Sequence, residues 1–269
     1  MQEGRRHLIA VGLLGLLGLL GLFAVTAHAQ APEWKKIRIG VEGAYPPFSE
    51  IGPDGKLKGF EIELAQAYCA QMKAECTLVQ QDFDGLIPAL QTRKIDAIIA
   101  SVSITEARKK VVAFSRPYYA TPARMVAKEG AKFDFTAAGL KGKKIGVQRA
   151  TIFEACVNGE FKQSEIVRYA TQDQIFLDLK AGRIDMTMAD SPAIDQGFLS
   201  KPEGKGYAMV GPVFDDPKYF GTGTGVAMRK ADEKTLAAKF NAAIEALQAD
   251  GTFKKMAAKY FPYDISPKH

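Results

Sequence analysis

Histidine is almost absent from this chain, and its few copies lie near the two ends. The 269 residues include three histidines, His7, His28 and His269. Imidazole is the usual general base of serine and cysteine nucleophiles and a common metal ligand. We therefore expect neither His-assisted nucleophilic catalysis nor a histidine-containing metal site, and we predict no cofactor.

Cysteine is also scarce, with Cys69, Cys76 and Cys156 as the full set. No cysteine pair and no close carboxylate cluster has the spacing of a metal site, so we predict no metal. Six residues separate Cys69 from Cys76, and in an oxidising compartment the pair can close a small loop at the end of a helix. Cys156 is then either buried and inert or a reactive thiol, although no histidine lies nearby in the sequence to activate it.

Long hydrophobic runs are confined to the start of the chain. Arg5 and Arg6 precede an apolar run over residues 8–25, and Ala-His-Ala follows at residues 27–29. This pattern predicts a signal peptide over residues 1–29 that is cleaved after Ala29, and hence export. The run is long enough to span a bilayer, so an uncleaved anchor is the alternative. The absence of a cysteine at the cleavage point argues against a lipid anchor.

Positive charge is in modest excess, with a formal net charge of +6. The basic residues are dispersed as pairs, such as Lys35 with Lys36 and Lys109 with Lys110, and most lie on polar faces or beside acids. Nucleic-acid binding proteins cluster such residues on one face. We interpret the pairs as solvating charges and predict no nucleic-acid partner.

The stretch over residues 94–108 carries the clearest chemical signal. Residues 97–100 form a short apolar run typical of a strand buried on both faces, and Ser101, Ser103, Thr105 and Arg108 follow. Ligands of open α/β sheets bind at the carboxyl ends of strands. An arginine presents a planar fork of donors that suits a carboxylate. The stretch therefore predicts a receptor for a small carboxylate, unless Ser101 and Thr105 only cap the next helix and Arg108 is solvated.

A second stretch repeats this pattern about ninety residues later. Residues 179–190 resemble residues 90–101: a helix end, a basic residue, Ile-Asp, an apolar strand and a polar residue. Asp190 occupies the place that Ser101 holds in the first copy. We predict two similar α/β halves that each present polar groups at a strand end, with chance similarity as the alternative.

The remaining pattern is also α/β. Apolar and alternating runs predict strands over residues 37–41, 76–80, 111–114, 125–127, 144–147 and 165–169. Amphipathic patterns predict helices from residue 59, over 83–93, 172–181, 231–247 and 251–260. Turn residues at 52–55 suggest a hairpin, and the Pro-bounded segment 115–122 suggests a crossing between domains. The glycine-rich residues 221–228 lack the spacing of a dinucleotide loop and predict a flexible return into a strand.

Several of these motifs resemble the periplasmic solute-binding proteins of polar amino-acid ABC transporters, solute-binding family 3. The likeness is carried by Gly-Phe-Glu-Ile-Glu-Leu at 59–64, Ser-Ile-Thr-Glu-Ala-Arg at 103–108, Arg-Ile-Asp at 183–185 with Asp190, and Asp-Gly-Thr-Phe at 250–253. Within the family, residues 42–48 and 83–88 and the Cys69–Cys76 pair are similar to the lysine/arginine/ornithine, histidine and arginine/ornithine binders.

The resemblance implies a fold and a domain organisation. The fold would be the two-lobed, type II flytrap of periplasmic binding proteins, each lobe a mostly parallel sheet flanked by helices. Lobe 1 would be discontinuous, over residues 30–119 and 219–269, and lobe 2 would span residues 120–218. The protein would be a periplasmic monomer that docks transiently on a membrane ABC permease.

The resemblance also implies roles for particular residues. Arg108 would bind the α-carboxylate of the ligand, aided by Ser103 and by lobe-2 backbone near Thr151. Asp190 would bind the α-ammonium together with Ser101. Tyr45 and Phe83 would sandwich the aliphatic stem, and Glu42 would meet a terminal cation. The implied ligand-binding set is Glu42, Tyr45, Phe83, Ala100, Ser101, Ser103, Arg108, Ala150, Thr151, Ile152, Phe153 and Asp190.

The chain departs from the basic binders at a few of these positions. Ala100 stands where they usually have serine, and Ile152 and Phe153 where they commonly have threonine and glutamine. Glu42 is one methylene longer than their usual aspartate. The changes at Ala100, Ile152 and Phe153 would make one side of the ligand pocket more apolar. All of these changes affect which ligand side chain is preferred, rather than the binding of the ligand's α-amino and α-carboxyl groups.

Three functions are compatible with this pattern. The first is a receptor for arginine, ornithine, lysine or histidine that delivers its ligand to a permease, with no enzymatic activity. The second is a binder of glutamine or an opine, which the apolar wall motivates. The third is an enzyme similar to the cyclohexadienyl dehydratases of the same fold, which would need a general acid aimed at a leaving hydroxyl.

Overall fold

The computed structural model describes residues 34–267, so the predicted signal peptide lies outside the described residues. Within this range no helix combines the length and the apolar character needed to cross a membrane. The described chain folds around two five-stranded sheets, each covered by helices.

The first sheet combines strands from both ends of the described chain. Its strands are β1 (Lys36–Val41), β5 (Glu75–Gln80), β6 (Ala97–Ile98), β7 (Ala113–Phe114) and β13 (Ala227–Met228), in the order β5-β1-β6-β13-β7. Strand β1 pairs in parallel with β5 and β6, and β13 runs antiparallel to β6 and β7. Two of the four pairings are thus parallel.

The second sheet is built from the middle of the chain in the same way. Its strands are β8 (Ala123–Lys128), β9 (Lys144–Gln148), β10 (Glu165–Tyr169), β11 (Met186–Asp190) and β12 (Tyr207–Phe214), in the order β10-β9-β11-β8-β12. Strand β9 is parallel to β10 and β11, whereas β8 is antiparallel to β11 and β12. The two sheets therefore share one topology, as the repeated sequence pattern predicts.

A small antiparallel sheet extends the first half. It consists of β2 (Ala44–Tyr45), β3 (Ser49–Ile51) and β4 (Leu57–Lys58). The predicted turn at 52–55 closes the β3–β4 hairpin, with the Gly52 N–H donating to the Lys56 carbonyl at 2.8 Å.

Helices flank both sheets. The longer ones are α1 (Phe60–Gln71), α2 (Phe83–Gln91), α4 (Ile152–Glu160), α5 (Gln172–Lys180), α8 (Ala238–Ala249) and α9 (Thr252–Tyr260). Helix α1 packs against α8 and α9 beside the first sheet, and α4 and α5 pack on β9 of the second. Three single turns complete the set: α3 (Glu106–Lys109), α6 (Ser191–Ile194) and α7 (Pro217–Phe220).

Each half has its own hydrophobic core. In the first, Ile39 of β1 packs with Phe60 and Tyr68 of α1 and Phe240 of α8. In the second, the core includes Met125, Ile145, Val157, Ile175 and Phe198. Separate cores allow the halves to move as two rigid lobes.

The structure corrects several predicted elements. The strand predicted over 111–114 is shortened to β7, because the N–H groups of Val111 and Val112 both bond back to the Arg108 carbonyl in a turn. The helix predicted over 231–247 opens with a 3-10 turn at Lys230–Asp232 and a π-helical turn at Glu233–Ala237 before α8. The long strand β12 was not predicted, although its residues are mostly apolar, because Gly211 and Pro212 interrupt the run.

The three cysteines have distinct environments. Cys69 and Cys76 form a disulfide with a Cα–Cα separation of 6.1 Å, which confirms the predicted pairing and joins the last turn of α1 to β5. Cys156 is free and buried, and burial raises the pKa of its thiol to about 12. A thiol of this kind is a poor nucleophile, which favours the inert interpretation.

Candidate functional site

A cavity between the two sheets brings the predicted binding residues together. Its walls are formed by Glu42, Tyr45, Phe83, Ala100, Ser101, Ser103, Arg108, Gln148, Thr151, Ile152, Phe153 and Asp190. Eleven of the twelve predicted positions are among them, and Ala150 lies beside the cavity through its carbonyl group. The open space is about 20 Å³, little more than one water molecule needs. An amino acid therefore enters only if the walls move apart.

The position of the cavity follows from the sheets. Glu42 comes directly after β1, Ser101 shortly after β6, Gln148 ends β9 and Asp190 ends β11. These strands point their carboxyl ends toward the same gap, so polar side chains from both sheets meet there. The stretch over residues 97–105 is buried at nearly every position, although only Ala97–Ile98 take part in the strand ladder.

Arg108 lies at one end of the cavity and bridges the two lobes. Its Nη1 donates to the Ser103 carbonyl at 3.2 Å and its Nη2 to the Ala150 carbonyl of lobe 2 at 3.1 Å. The guanidinium carbon lies 5.6 Å from the centre of the Phe83 ring. Burial alone lowers the pKa of Arg108, to about 10, because no carboxylate among residues 34–267 pairs with it.

The local backbone explains how Arg108 reaches this place. The Thr105 side chain accepts a hydrogen bond from the Arg108 N–H at 3.2 Å and caps helix α3, as the alternative interpretation expects. Arg108 as a whole residue is half-buried, but its guanidinium is buried in the cavity wall, whereas that alternative places it in solvent. Capping and cavity lining are therefore compatible functions of the same turn.

Asp190 lines the same cavity from the other lobe. Its Oδ1 accepts from the Thr121 hydroxyl at 2.7 Å and its Oδ2 from the Tyr45 hydroxyl at 2.9 Å. The Asp190 N–H in turn donates to the Tyr45 oxygen at 3.1 Å, so Tyr45 contacts the same residue twice across the cleft. Burial raises the pKa of Asp190 to about 6, against the smaller opposite effect of the two hydroxyl donors. A ligand ammonium would supply the missing positive charge.

Glu42 and Gln148 form a second polar pair in the cavity wall. Glu42 is 4% exposed and Gln148 is 2% exposed. The Gln148 Nε2 donates to the Glu42 Oε1 at 2.5 Å and to the Ala170 carbonyl at 3.0 Å. Burial raises the pKa of Glu42 to about 7, with further contributions from the charges of Glu61, Asp173 and Asp82.

The cavity thus contains one buried cation and two buried anions without ionic partners among residues 34–267. Arg108, Asp190 and Glu42 each bond to neutral groups. An unpaired buried charge is costly, and an opposite charge delivered by a ligand offsets that cost. The pattern is complementary to a molecule with one carboxylate and two cationic groups.

Two aromatic rings line the cavity between the charged groups. The Tyr45 ring stacks on Phe48 with the ring centres 5.7 Å apart, so one of its faces is already covered. Phe83 lies under the Arg108 guanidinium. Both rings are available to cover an aliphatic stem, and the predicted sandwich of the ligand stays a prediction.

The lobe-2 loop contributes backbone groups and an apolar wall. Ala150 has a positive φ of 61°, and the Thr151 side chain caps helix α4 by accepting from the Glu154 N–H. The amino end of α4 therefore faces the cavity, where its N–H groups and dipole suit an anion. Phe153 is buried against Phe220, and Ile152 lies at the wall itself.

Three residues of the site were missed by the sequence reasoning. Gln148 is the last residue of β9, and its place at the carboxyl end of a strand was a usable signal. Thr121 was interpreted only as part of a crossing, yet it donates to Asp190. Glu61 lies in the first turn of the helix predicted from residue 59, where an acid is favourable in solvent, but it is fully buried and bonds to Ser101. In the range 34–267 no cluster of potential metal ligands is present.

Comparison with known proteins identifies the family. The pattern of the bacterial extracellular solute-binding proteins, family 3, matches residues 37–263. The chain is 51% identical over 233 residues to an L-arginine-binding protein of Pseudomonas aeruginosa, covering 86% of this chain and 90% of the relative. It is 43% identical over 244 residues to the lysine/arginine/ornithine-binding periplasmic protein of Escherichia coli, covering 90% and 93%.

A solved structure supports the same assignment. A periplasmic binding protein of Salmonella typhimurium, described for its high arginine specificity, superposes with a TM-score of 0.78 at 35% identity. The match covers 84% of this chain and 99% of that one. The predicted family and the two-lobed α/β fold are therefore confirmed: this chain belongs to the bacterial extracellular solute-binding proteins of family 3.

Proposed function

We propose that the protein is an extracytoplasmic receptor for a basic L-amino acid, namely arginine, ornithine, lysine or histidine, and that it delivers this ligand to an ABC permease. The observation that carries the proposal is the set of three unpaired buried charges, Arg108, Asp190 and Glu42, around one cavity. A basic amino acid has one carboxylate, one α-ammonium and a basic side chain, which complement these three charges. The names of the relatives, an L-arginine-binding protein and a lysine/arginine/ornithine-binding periplasmic protein, support the same ligand class.

The division of roles follows from charge. Arg108 binds the α-carboxylate together with backbone N–H groups at the start of α4, beside Thr151. Asp190 and Ser101 bind the α-ammonium, and Glu42 with Gln148 binds the terminal cation. Tyr45 and Phe83 cover the methylenes between the α-carbon and the terminal cation of the ligand. An aromatic face also attracts a cation that lies over it.

The cellular setting of this proposal is the periplasm. The leader over residues 1–29 would be cleaved after Ala29, and the mature protein would act as a monomer. The lobes would have the boundaries 30–119 with 219–269 and 120–218. Closure of the lobes would exclude water from the charged groups, which strengthens their attraction to the ligand.

A thermal-shift screen of the mature chain against the proteinogenic amino acids and common opines tests the function, followed by isothermal titration of the hits. We expect the largest stabilisation with one of the four basic amino acids. Stabilisation by glutamine or an opine alone would overturn the choice of ligand class. Incubation with prephenate or arogenate tests for enzymatic activity. Conversion of either compound, detected by a change in absorbance, would overturn the assignment of a binding protein without enzymatic activity.

A further inference from the structure

Glu61 is a buried carboxylate that the proposed ligand contacts do not use. It lies in the first turn of α1 with no measurable exposure, and no cation among the described residues pairs with it. Its Oε1 accepts from the Tyr118 hydroxyl at 2.5 Å, the Ser101 N–H at 3.0 Å and, more weakly, the Tyr119 hydroxyl at 3.4 Å. Its Oε2 accepts from the Ser101 hydroxyl at 3.0 Å. Half of these contacts thus go to one cavity-lining residue.

Ser101 has an unusual backbone conformation that these contacts stabilise. Its φ is +54°, in the left-handed region that L residues rarely adopt. The bond from its N–H to Glu61 satisfies a donor that no strand ladder takes up at this position. Glu61 therefore holds both the backbone and the side chain of Ser101 in place.

The hydrogen bonds of the Ser101 hydroxyl fix its polarity, that is, whether it presents a donor or an acceptor to the cavity. A hydroxyl has one proton and two acceptor lone pairs. The proton goes to the Glu61 Oε2. One lone pair accepts from the Tyr119 hydroxyl, whose single proton is closer to the Ser101 oxygen, at 2.8 Å, than to the Glu61 Oε1, at 3.4 Å. What remains for the cavity is a single acceptor, which suits an N–H donor and disfavours another acceptor.

We propose that Glu61 is a positioning residue of the amino-acid site: by taking the only proton of the Ser101 hydroxyl, it makes that hydroxyl an obligatory acceptor for the α-ammonium of the ligand. This inference rests on the proposed function. Glu61 itself touches no ligand atom, and it acts through Ser101. The polarity of Ser101 then complements Asp190, so both partners of the ammonium are acceptors.

A neutral amide at position 61 reverses this polarity. The side-chain NH2 of a glutamine can donate to the Ser101 oxygen. The serine proton is then free to point into the cavity. It faces the ligand ammonium, which has only donors and cannot accept it. The effect is specific to the α-ammonium. Ligands without an α-ammonium lose little affinity, whereas a general structural defect weakens the binding of all ligands alike.

The test compares arginine with 5-guanidinopentanoate, which is arginine without its α-amino group. The measured quantity is the discrimination ratio, the Kd of 5-guanidinopentanoate divided by the Kd of arginine, from isothermal titration. We expect Glu61→Gln to lower this ratio at least tenfold. Glu63→Gln is the matched control, because Glu63 lies on the same helix but bonds to Lys259 and Tyr260 away from the cavity. It should leave the ratio unchanged.

A double-mutant cycle connects the effect to Ser101. Ser101→Ala removes the acceptor and should also lower the ratio, and adding Glu61→Gln to it should lower the ratio no further. If Glu61→Gln does not fold, Glu61→Asp keeps the charge but shortens its reach, and it should lower the ratio several-fold. An unchanged ratio in the folded Glu61 variants, or an equal loss of both ligands, overturns the inference.

Failure of the proposed function gives a different result. A wild-type protein that binds no basic amino acid refutes both proposals. If it binds lysine but not arginine, lysine and 6-aminohexanoate replace the two probes. A wild-type protein that binds arginine while the Glu61 variants keep the wild-type ratio refutes this inference alone.

Discussion

At the scale of single residues, Arg108 determines whether a carboxylate can be bound. Its guanidinium is desolvated. Among residues 34–267 it bonds only to the carbonyls of Ser103 and Ala150, so it retains donors for a ligand. Replacing a buried member of a charge pair costs about 2–5 kcal/mol of binding. We therefore expect Arg108→Ala to weaken binding of the preferred amino acid by about thirtyfold or more, as measured by isothermal titration.

The control for this variant is another arginine of the chain. Arg183 pairs with Asp178 on the surface of lobe 2, and its side chain is 69% exposed. Arg183→Ala should leave the affinity unchanged. A wild-type affinity in Arg108→Ala would remove the carboxylate contact from the proposal.

The pH dependence of binding should identify Glu42 as the partner of the terminal cation. Its pKa is raised to about 7 in the free protein, and a ligand cation favours its ionised form. Binding is therefore strongest above the raised pKa and weakens as the pH falls through it. Lowering the pH from 8 to 5 should weaken binding roughly a hundredfold through this group alone.

Glu42→Gln separates this group from its neighbour. The pKa of Asp190 is raised to about 6, so protonation of this group causes a smaller loss of affinity at the low end of the same pH range. This smaller loss of affinity should remain in the Glu42→Gln variant. The variant should also lose far more affinity for cationic ligands than for glutamine. An unchanged pH profile, or equal losses for arginine and glutamine, would contradict the role of Glu42.

At the scale of elements, the disulfide is the clearest local constraint. It joins two cysteines that are seven positions apart in sequence, at the end of α1 and the start of β5. A loop of this length stabilises the fold by about 2.5 kcal/mol through the unfolded state. The double variant Cys69→Ala/Cys76→Ala should lose roughly this free energy of unfolding in urea. Added reductant should destabilise the wild type but not the variant, and equal sensitivity would contradict this interpretation.

The sequence predicts the elements that have a regular pattern and misses those that depend on distant contacts. Strand β10 has the predicted bounds 165–169, because alternating residues indicate it locally. Strand β12 pairs with β8 through a register irregularity after Val210, which no local pattern indicates. The π-helical turn at Glu233–Ala237 is likewise invisible in an amphipathic pattern.

The site shows the same limit. Charged and hydroxyl residues at strand ends could be predicted, because ligands bind there in α/β sheets. The contact between Tyr45 and Asp190 joins residues 145 positions apart, and that between Gln148 and Glu42 joins residues 106 apart. Such pairings follow from how two lobes meet, and a single sequence contains no direct signal for them.

At the scale of the whole molecule, the two lobes are joined across the cavity by few polar contacts. Those described above are Arg108 to Ala150, Tyr45 to Asp190 and Gln148 to Glu42. Arg149 adds an ion pair with Asp84 at 2.7 Å, but both side chains are partly exposed. Exposed pairs contribute at most about 1 kcal/mol. The Gln196 side-chain amide also donates to the Tyr260 carbonyl between the lobes. An interface joined by polar contacts of this kind permits domain motion.

We expect the lobes to part in solution and to close on a ligand. An amino acid would replace the interlobe bonds of Arg108 and Asp190 with its own carboxylate and ammonium, which draws the two lobes together. Small-angle X-ray scattering should therefore show a decrease in the radius of gyration, about 18 Å for a chain of this size, when the preferred amino acid is added. Arg108→Ala at the same ligand concentration should show no decrease. A wild-type protein that binds tightly at constant radius of gyration would mean that the lobes keep one arrangement and that the ligand enters by side-chain motion alone.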